Sequence, residues 1–226
     1  MSQGLPTESL IHPGFNFRFE VPLSWQDNAW GKTGWNSTEA HALPHFSRLD
    51  GSPSVAQVRA GWNEDSLAVH VCVTGKRQSL WCRDSRIDDS DGLHFWIDTR
   101  CTPDIHRASQ YCHRFAFLPA GAGTGRKDPS VVWVPIHRAR SQPKTIDTAK
   151  IRRHATIRHD GYQMSVLIPR SQLTGYEPEN QNRISLFYCV TDSELGAQWM
   201  SLDETYPVEE DPSMWVQAKL EPPRRG

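Results

Sequence analysis

The sequence predicts an all-β protein, an antiparallel β-sandwich of the jelly-roll kind with roughly ten strands and little helix. Three observations support this prediction: apolar and polar residues alternate in many short segments, turn-forming residues separate those segments, and helical periodicity is almost absent. The chain has 226 residues, with 15 glycines and 16 prolines. Because sandwiches of this length commonly form one domain, we predict a single domain over residues 1–226 with its core at about 15–220.

The alternation of apolar and polar residues marks the strands in order along the chain. It is clearest at residues 15–21, 67–73, 93–97, 111–117, 162–168 and 184–190. Shorter candidates lie at residues 55–62, 131–136, 151–158 and 214–220. Asp160-Gly161 separates two of these segments and predicts a tight hairpin. Loops are predicted where the alternation fails, at residues 27–53, 75–91 and 120–130.

Charge and composition exclude some classes of function. The chain has 25 Lys and Arg residues against 26 Asp and Glu residues, a net charge of −1. This balance argues against nucleic acid as a partner, since nucleic-acid binding needs a clustered basic surface.

No segment approaches the ~18 consecutive apolar residues of a membrane span. The first residues lack a signal-peptide pattern, so we expect a cytoplasmic protein. The five cysteines contain no CxxC pair, and we expect reduced thiols with at most one disulfide.

The second faces of the predicted strands carry an unusual mixture of residues. One face of each strand is apolar and belongs to the core. The opposite faces hold His70, Cys72, His94, Trp96, Cys112, Arg114, Phe187 and Cys189. Two interpretations remain open: a second layer of packed residues with satisfied histidines, or a concave platform on which aromatic and polar side chains hold a ligand.

Candidate metal ligands are grouped in two places. His70 and Cys72, two residues apart on one strand face, would supply two zinc ligands, but no spacing supplies the others. The acidic run at residues 83–91 would supply calcium with carboxylate oxygens from Asp84, Asp88, Asp89 and Asp91. This run lacks the EF-hand spacing and contains two arginines, so a solvated loop is the alternative interpretation.

Catalytic signatures are absent from the sequence. It contains no GxSxG elbow, no HExxH and no cysteine–histidine signature. We therefore expect a protein that is not an enzyme. A hydrolase that reuses the sandwich remains an alternative, with Asp98 as its candidate carboxylate.

Three blocks of sequence, in order, carry a family resemblance. They are Ala60–Val69, Asp91–Asp98 (DGLHFWID) and Gly161–Pro169 (GYQMSVLIP), and Arg183–Asp192, Trp199 and Asp211-Pro212-Ser213 follow them. Together they resemble carbohydrate-binding module family 9 and its DOMON-like relatives over residues 15–220. The resemblance implies a β-sandwich that binds a sugar between two tryptophans, with polar side chains on the sheet and calcium in several members.

The resemblance also assigns roles to positions in this chain. His94 stands where the family has a glutamate, and Arg114 lies on the face that carries the family's arginine. The two clamp tryptophans of the family fall near Asp88 and on Glu209. We therefore predict a non-catalytic module for a saccharide or similar small ligand, with a floor of His94, Trp96 and Arg114. Trp81 and Tyr206 are the candidate stacking walls.

Two further hypotheses use other residues. A DOMON-like domain that binds haem would need an axial ligand, and His70, His94 and His113 are available. A protein-interaction domain would use an exposed loop containing Trp30 and Trp35.

Overall fold

The computed structural model describes residues 19–28, 30–46, 51, 54–102 and 104–223, and these residues form thirteen strands joined by loops and short 3-10 turns. The strands are β1 (Glu20–Trp25), β2 (Trp30–Gly31), β3 (Gly34–Trp35), β4 (Ala56–Trp62), β5 (Ser66–Thr74), β6 (Gly92–Asp98), β7 (Cys112–Ala122), β8 (Asp128–Val134), β9 (Arg152–Arg158), β10 (Gly161–Pro169), β11 (Arg183–Asp192), β12 (Gly196–Trp199) and β13 (Val216–Leu220).

Eleven strands form one large sheet, and its strand order defines two halves. The order is β8-β7-β6-β11-β13-β1-β4-β5-β10-β9, with β12 paired to β11. We call β6, β7, β8, β11, β12 and β13 the first half, and β4, β5, β9 and β10 the second half. Strand β1 connects them, because it pairs in parallel with both β13 and β4, while the other pairs are antiparallel. The far ends also approach, since β7 and β8 contact β9. The predicted β-sandwich is therefore confirmed.

The core lies between the two halves. Alternation along each strand sends one set of side chains inward, and these are almost completely buried, as in Phe95 of β6, Phe117 of β7 and Tyr188 of β11. Val69 of β5 and Val166 of β10 face them from the second half and belong to the same cluster. The apolar side chains that predicted the strands are thus the ones that stabilise the fold by leaving water.

Two of the predicted loops contain more structure than expected. Residues 27–53 include the β2–β3 hairpin, and in the 120–130 segment β7 runs to Ala122 and β8 begins at Asp128. The 120–130 segment was predicted as a loop because it is rich in glycine, but glycine can also continue a strand up to a tight turn. The predicted strand at 15–21 lies mostly outside the described residues, and β1 begins at Glu20.

The predicted hairpin at Asp160-Gly161 is confirmed. Strand β9 ends at Arg158, β10 begins at Gly161, and these two residues pair. Gly161 has a φ of +152°, and a Cβ atom there would lie 2.1 Å from the carbonyl oxygen of Val73. Only glycine fits this close approach to β5.

The tryptophan loop is not exposed as the interaction hypothesis requires. The β2–β3 hairpin folds onto the outer face of the second half, where Trp35 is buried against Ala68 and Leu167. Trp30 is partly buried beside it. The prediction of an exposed Trp30 and Trp35 docking loop is therefore wrong for Trp35, because its ring packs on the apolar side chains of Ala68 in β5 and Leu167 in β10.

All five cysteines are free thiols. Within the described part of the chain, no helix has the length and apolar character needed to cross a membrane.

Candidate functional site

The second face of the first half brings together three residues predicted from the sequence. Trp96 of β6 pairs with Arg114 of β7 on one side and with Phe187 of β11 on the other. His94 lies on the same face of β6, two residues before Trp96. Trp96 is 0% exposed and meets Phe187 edge to face at 5.8 Å between ring centroids. This part of the face is therefore a second packed layer.

Arg114 covers this layer. Its Cζ atom lies 5.0 Å from the centroid of the Trp96 ring, in cation–π geometry. Its Nη2 atom lies 3.4 Å from His94 Nδ1 and donates to Asp88 Oδ1 at 3.1 Å. Its Nη1 atom donates to Glu209 Oε2 at 3.1 Å. We call these five residues the Arg114 site.

Exposure increases outward through the Arg114 site. The side chain of Arg114 is 11% exposed, whereas those of Asp88 and Glu209 are 75% and 47% exposed. The two ion pairs are partly solvated, so each contributes little to stability. The rim of the site is thus formed by carboxylates that water and small polar molecules can reach.

His94 is neutral at neutral pH. Burial, and after it the positive charge of Arg114, lower its pKa from 6.5 to about 4, while Asp88 and the backbone of Ile87 act in the opposite direction. A neutral imidazole can both donate and accept a hydrogen bond. Two buried donors beneath the rim, Trp96 Nε1 and Arg114 Nε, have no hydrogen-bond partner among the residues that the structure describes.

Buried charges fix the loop that carries Asp88. The ammonium of Lys76 lies 2.7 Å from Asp192 Oδ1 and 3.1 Å from Asp91 Oδ2, and these side chains are at most 1% exposed. Asp91 also accepts from the backbone N–H groups of Trp81 and Ser193. These contacts join the start and the end of the 75–91 loop to the end of β11. Asp88 lies in a 3-10 turn just before Asp91.

The segment that carries Glu209 is anchored by its neighbours. Val208 is completely buried, and its carbonyl accepts from Trp215 Nε1 at 2.7 Å. Asp211 caps the following turn by accepting from the backbone N–H of Ser213 at 3.0 Å. The side chain of Glu209 therefore projects from a segment held on both sides.

The two predicted stacking walls lie in different surroundings. The ring of Trp81 is covered by Arg83 and Arg86 of its own loop, at 5.1 and 5.4 Å from the ring centroid. Tyr206 is partly buried and packs against the main core. The structure thus brings together His94, Trp96 and Arg114. It adds Glu209, which was not among the predicted site residues although the resemblance had aligned it with a clamp position.

The predicted calcium ligands are dispersed. Asp88 pairs with Arg114, Asp89 pairs with Arg86 at 2.6 Å, and Asp91 faces Lys76 in the interior. Across the ranges that the structure describes, no group of three or more His, Cys, Asp or Glu side chains is placed to hold a metal ion. The set of Asp84, Asp88, Asp89 and Asp91 therefore does not fit calcium, because arginine and lysine already neutralise three of its members.

The residues of the alternative hypotheses have structural partners. His113 points away from the Arg114 site, is completely buried and lies 3.5 Å from the carbonyl of Thr174. His70 is on the other half of the sheet and contacts Ser165. Asp98 is buried, and its two oxygens accept from the backbone N–H groups of Arg100 and Thr102. Burial raises the pKa of Asp98, and its hydrogen bonds fix the chain where β6 ends.

Comparison with known proteins identifies the fold of the chain. No family model matches the sequence, and no curated protein matches it significantly. Among solved structures, the chain is similar to a carbohydrate-binding module family 9 from Caldicellulosiruptor kristjanssonii in complex with glucose, with a TM-score of 0.59 and 15% identity. That match covers 92% of this chain and 97% of the module. The complex of such a module with cellotriose gives a TM-score of 0.58 at 15% identity, over 92% and 95% of the two chains. The chain therefore has the fold of a family 9 carbohydrate-binding module.

Proposed function

We propose that the protein is a non-catalytic carbohydrate-binding module that takes a saccharide at the Arg114 site. The observation that carries the proposal is the convergence of Arg114, His94, Asp88 and Glu209 on one sheet face. The structural neighbours, which are described as complexes with glucose and with cellotriose, support it.

The chemistry of the rim suits sugar hydroxyls. A guanidinium presents several N–H donors in a fixed plane, and each carboxylate accepts from O–H groups. A sugar ring offers both kinds of partner on neighbouring carbons. We therefore expect hydroxyl groups to replace part of the contacts between Arg114 and its carboxylates Asp88 and Glu209.

A sugar ring cannot stack directly on a tryptophan at the Arg114 site in this conformation. Trp96 is fully buried, and the guanidinium of Arg114 lies over its ring. A ligand therefore meets Arg114 first. This order of layers favours polar recognition over ring stacking as the main source of affinity.

Isothermal titration calorimetry with a panel of mono- and oligosaccharides, including glucose and cellotriose, tests the proposal. We expect the wild type to bind at least one member of the panel, and Arg114→Gln and Glu209→Gln to bind it at least tenfold more weakly. Glu179→Gln is the matched control, because it breaks an exposed ion pair with Arg170 in another part of the chain. Wild-type protein that binds no saccharide in the panel would falsify the proposal.

A further inference from the structure

A pocket opens at the surface where the loops that follow β6, β8 and β12 meet. The residues that line it are His106, Arg107, Arg138 and Glu210. Its volume is about 490 Å³, which lies within the ~300–1,000 Å³ range of small-ligand sites. We call it the Arg107 pocket.

The Arg107 pocket adjoins the Arg114 site. Glu209, whose carboxylate accepts from Arg114, is followed directly by Glu210, which lines the pocket. Consecutive Cα atoms are only ~3.8 Å apart. Strand β8 leads to the same place, because Val134 is the register partner of Arg114 and the chain continues from there to Arg138. A ligand that extends beyond Glu209 therefore reaches the Arg107 pocket.

Hydrogen bonds hold the loops of the pocket together. Arg107 Nε donates to the carbonyl oxygen of Arg138 at 2.9 Å, which joins the first loop to the second. His106 Nδ1 lies 3.0 Å from Asp211 Oδ2, which joins the first loop to the third. Arg138 has a φ of +55°, a left-handed conformation that persists in a non-glycine residue only where the surroundings fix it. The pocket is thus formed in the free protein, and this reduces the ordering that binding requires.

The side chains of the pocket retain unused hydrogen-bonding capacity. Arg107 forms no ion pair with any residue that the structure describes, so its two Nη groups are available to a ligand. Glu210 Oε1 lies 2.7 Å from His137 Nδ1, which orients the carboxylate. Glu210 Oε2 and Arg138 Nη1 are 3.9 Å apart, beyond hydrogen-bond distance. A hydroxyl group between these two atoms can accept from Arg138 and donate to Glu210 at the same time.

The charges around the pocket favour a neutral ligand. Two guanidinium groups, those of Arg107 and Arg138, face the carboxylate of Glu210. The next residues on either side, Glu209 and Asp211, are also acidic. An acidic sugar would meet these carboxylates, whereas the hydroxyl groups of a neutral sugar can pair with both signs of charge.

We propose that the Arg107 pocket is a second sugar subsite, and that the ligand of the protein is a neutral oligosaccharide of at least two units. One sugar would lie at the Arg114 site and the next in the Arg107 pocket, with hydroxyl groups bonded to Arg107, Arg138 and Glu210. This inference rests on the proposed function. It adds the minimum chain length of the ligand and the residues that recognise its second unit.

Isothermal titration calorimetry with two neutral series tests this inference: glucose, cellobiose and cellotriose, and xylose, xylobiose and xylotriose. In a series that binds, the wild type should bind the disaccharide at least tenfold more tightly than the monosaccharide. Arg107→Ala/Arg138→Ala should bind the disaccharide only as tightly as the wild type binds the monosaccharide, with monosaccharide affinity unchanged. The matched control is Arg77→Ala/Arg126→Ala, which removes two exposed arginines outside both sites. Arg126 also shares the positive φ of Arg138. This control should bind like the wild type.

The outcomes separate this inference from the proposed function. Arg114→Gln should weaken the monosaccharide and the disaccharide alike, because both use the Arg114 site. Equal wild-type affinity for the two, or a pocket variant that keeps the gain from the second sugar, overturns the inference and leaves the proposed function standing. A fall in monosaccharide affinity in the pocket variant also overturns it, because Arg107 and Arg138 then act on the Arg114 site. Wild-type protein that binds no member of either series overturns the inference, and the wider saccharide panel then decides the proposed function.

Discussion

Arg114 donates to Glu209 across 3.1 Å, and this ion pair places a carboxylate at the position that the family resemblance aligns with a clamp tryptophan. Asp88, near the other aligned position, pairs with the same guanidinium. Two exposed carboxylates thus flank one central cation. The rim of the Arg114 site therefore offers charge and hydrogen bonds, where the family resemblance implies ring faces.

The first prediction concerns the effect of the Arg114 charge on the pKa of His94. In Arg114→Gln, the pKa of His94 should rise above its value of about 4, because a positive charge 3.4 Å from Nδ1 is removed while Asp88 remains. It should stay below 6.5, since burial is the largest cause of the shift. NMR titration of the His94 ring measures this directly. In the control Arg170→Gln the His94 pKa should not move, and an unchanged value in Arg114→Gln would contradict the assigned contact.

The second prediction concerns the buried charges that anchor the 75–91 loop. Lys76→Met should lower the free energy of unfolding by about 3–5 kcal/mol, because it leaves two buried carboxylates without their cation. The partners are Asp91 and Asp192, whose side chains are 0% exposed. Urea denaturation measures the loss.

Lys150→Met is the control for that measurement. It removes an exposed lysine whose ion pair with Asp147 spans 3.7 Å, and it should change stability by no more than about 0.5 kcal/mol. Adding Asp192→Asn to Lys76→Met should recover part of the loss. Equal stability of the Lys76 and Lys150 variants would show that the buried triad does not stabilise the fold.

Much of the fold could be predicted from the sequence because period-2 alternation is a local signal. The segments around Val69, Phe95 and Val166 became strands with the expected faces inward. The parallel pairing of β1 and the short strand β12 were not predicted. Parallel pairing depends on which distant strands meet, and four residues are too few to show a period.

The candidate site was only partly predictable for a related reason. Strand register placed His94, Trp96 and Arg114 on one face, as their even spacing and the family resemblance had indicated. The pairing of Arg114 with Asp88 and Glu209 depends on two loops that approach from distant parts of the chain. No local pattern encodes that approach.

The third prediction is a loss of stability in mildly acidic solution. Burial lowers the pKa of His113 from 6.5 to about 4. Below pH 6.5 the unfolded chain therefore binds a proton that the folded chain does not bind, so the free energy of unfolding falls as the pH falls from 6.5 towards 4. Between pH 7.5 and 5.0 this one group should cost about 2 kcal/mol.

Urea denaturation of His113→Asn over that pH range checks the third prediction. The variant should lose less stability between pH 7.5 and 5.0 than the wild type, because asparagine does not titrate. His159→Asn is the matched control, since the side chain of His159 is almost fully exposed. Its pH profile should follow that of the wild type. Identical pH slopes for the His113 variant and the wild type would disprove the contribution of His113.

The fourth prediction separates backbone strain from steric overlap at two glycines. Both Gly161 and Gly75 have positive φ angles, +152° and +94°. A Cβ atom at Gly75 would meet no heavy atom within 4 Å, whereas at Gly161 it would lie 2.1 Å from the carbonyl oxygen of Val73. Gly75→Ala should therefore cost only the strain of its backbone, about 1 kcal/mol.

Gly161→Ala should cost clearly more, about 3 kcal/mol or above, because β10 must also move away from β5. Thermal and urea denaturation of the two variants measure the difference. Equal destabilisation by the two substitutions would mean that the hairpin tolerates a side chain at Gly161, and that the β5–β10 register is not fixed by this contact.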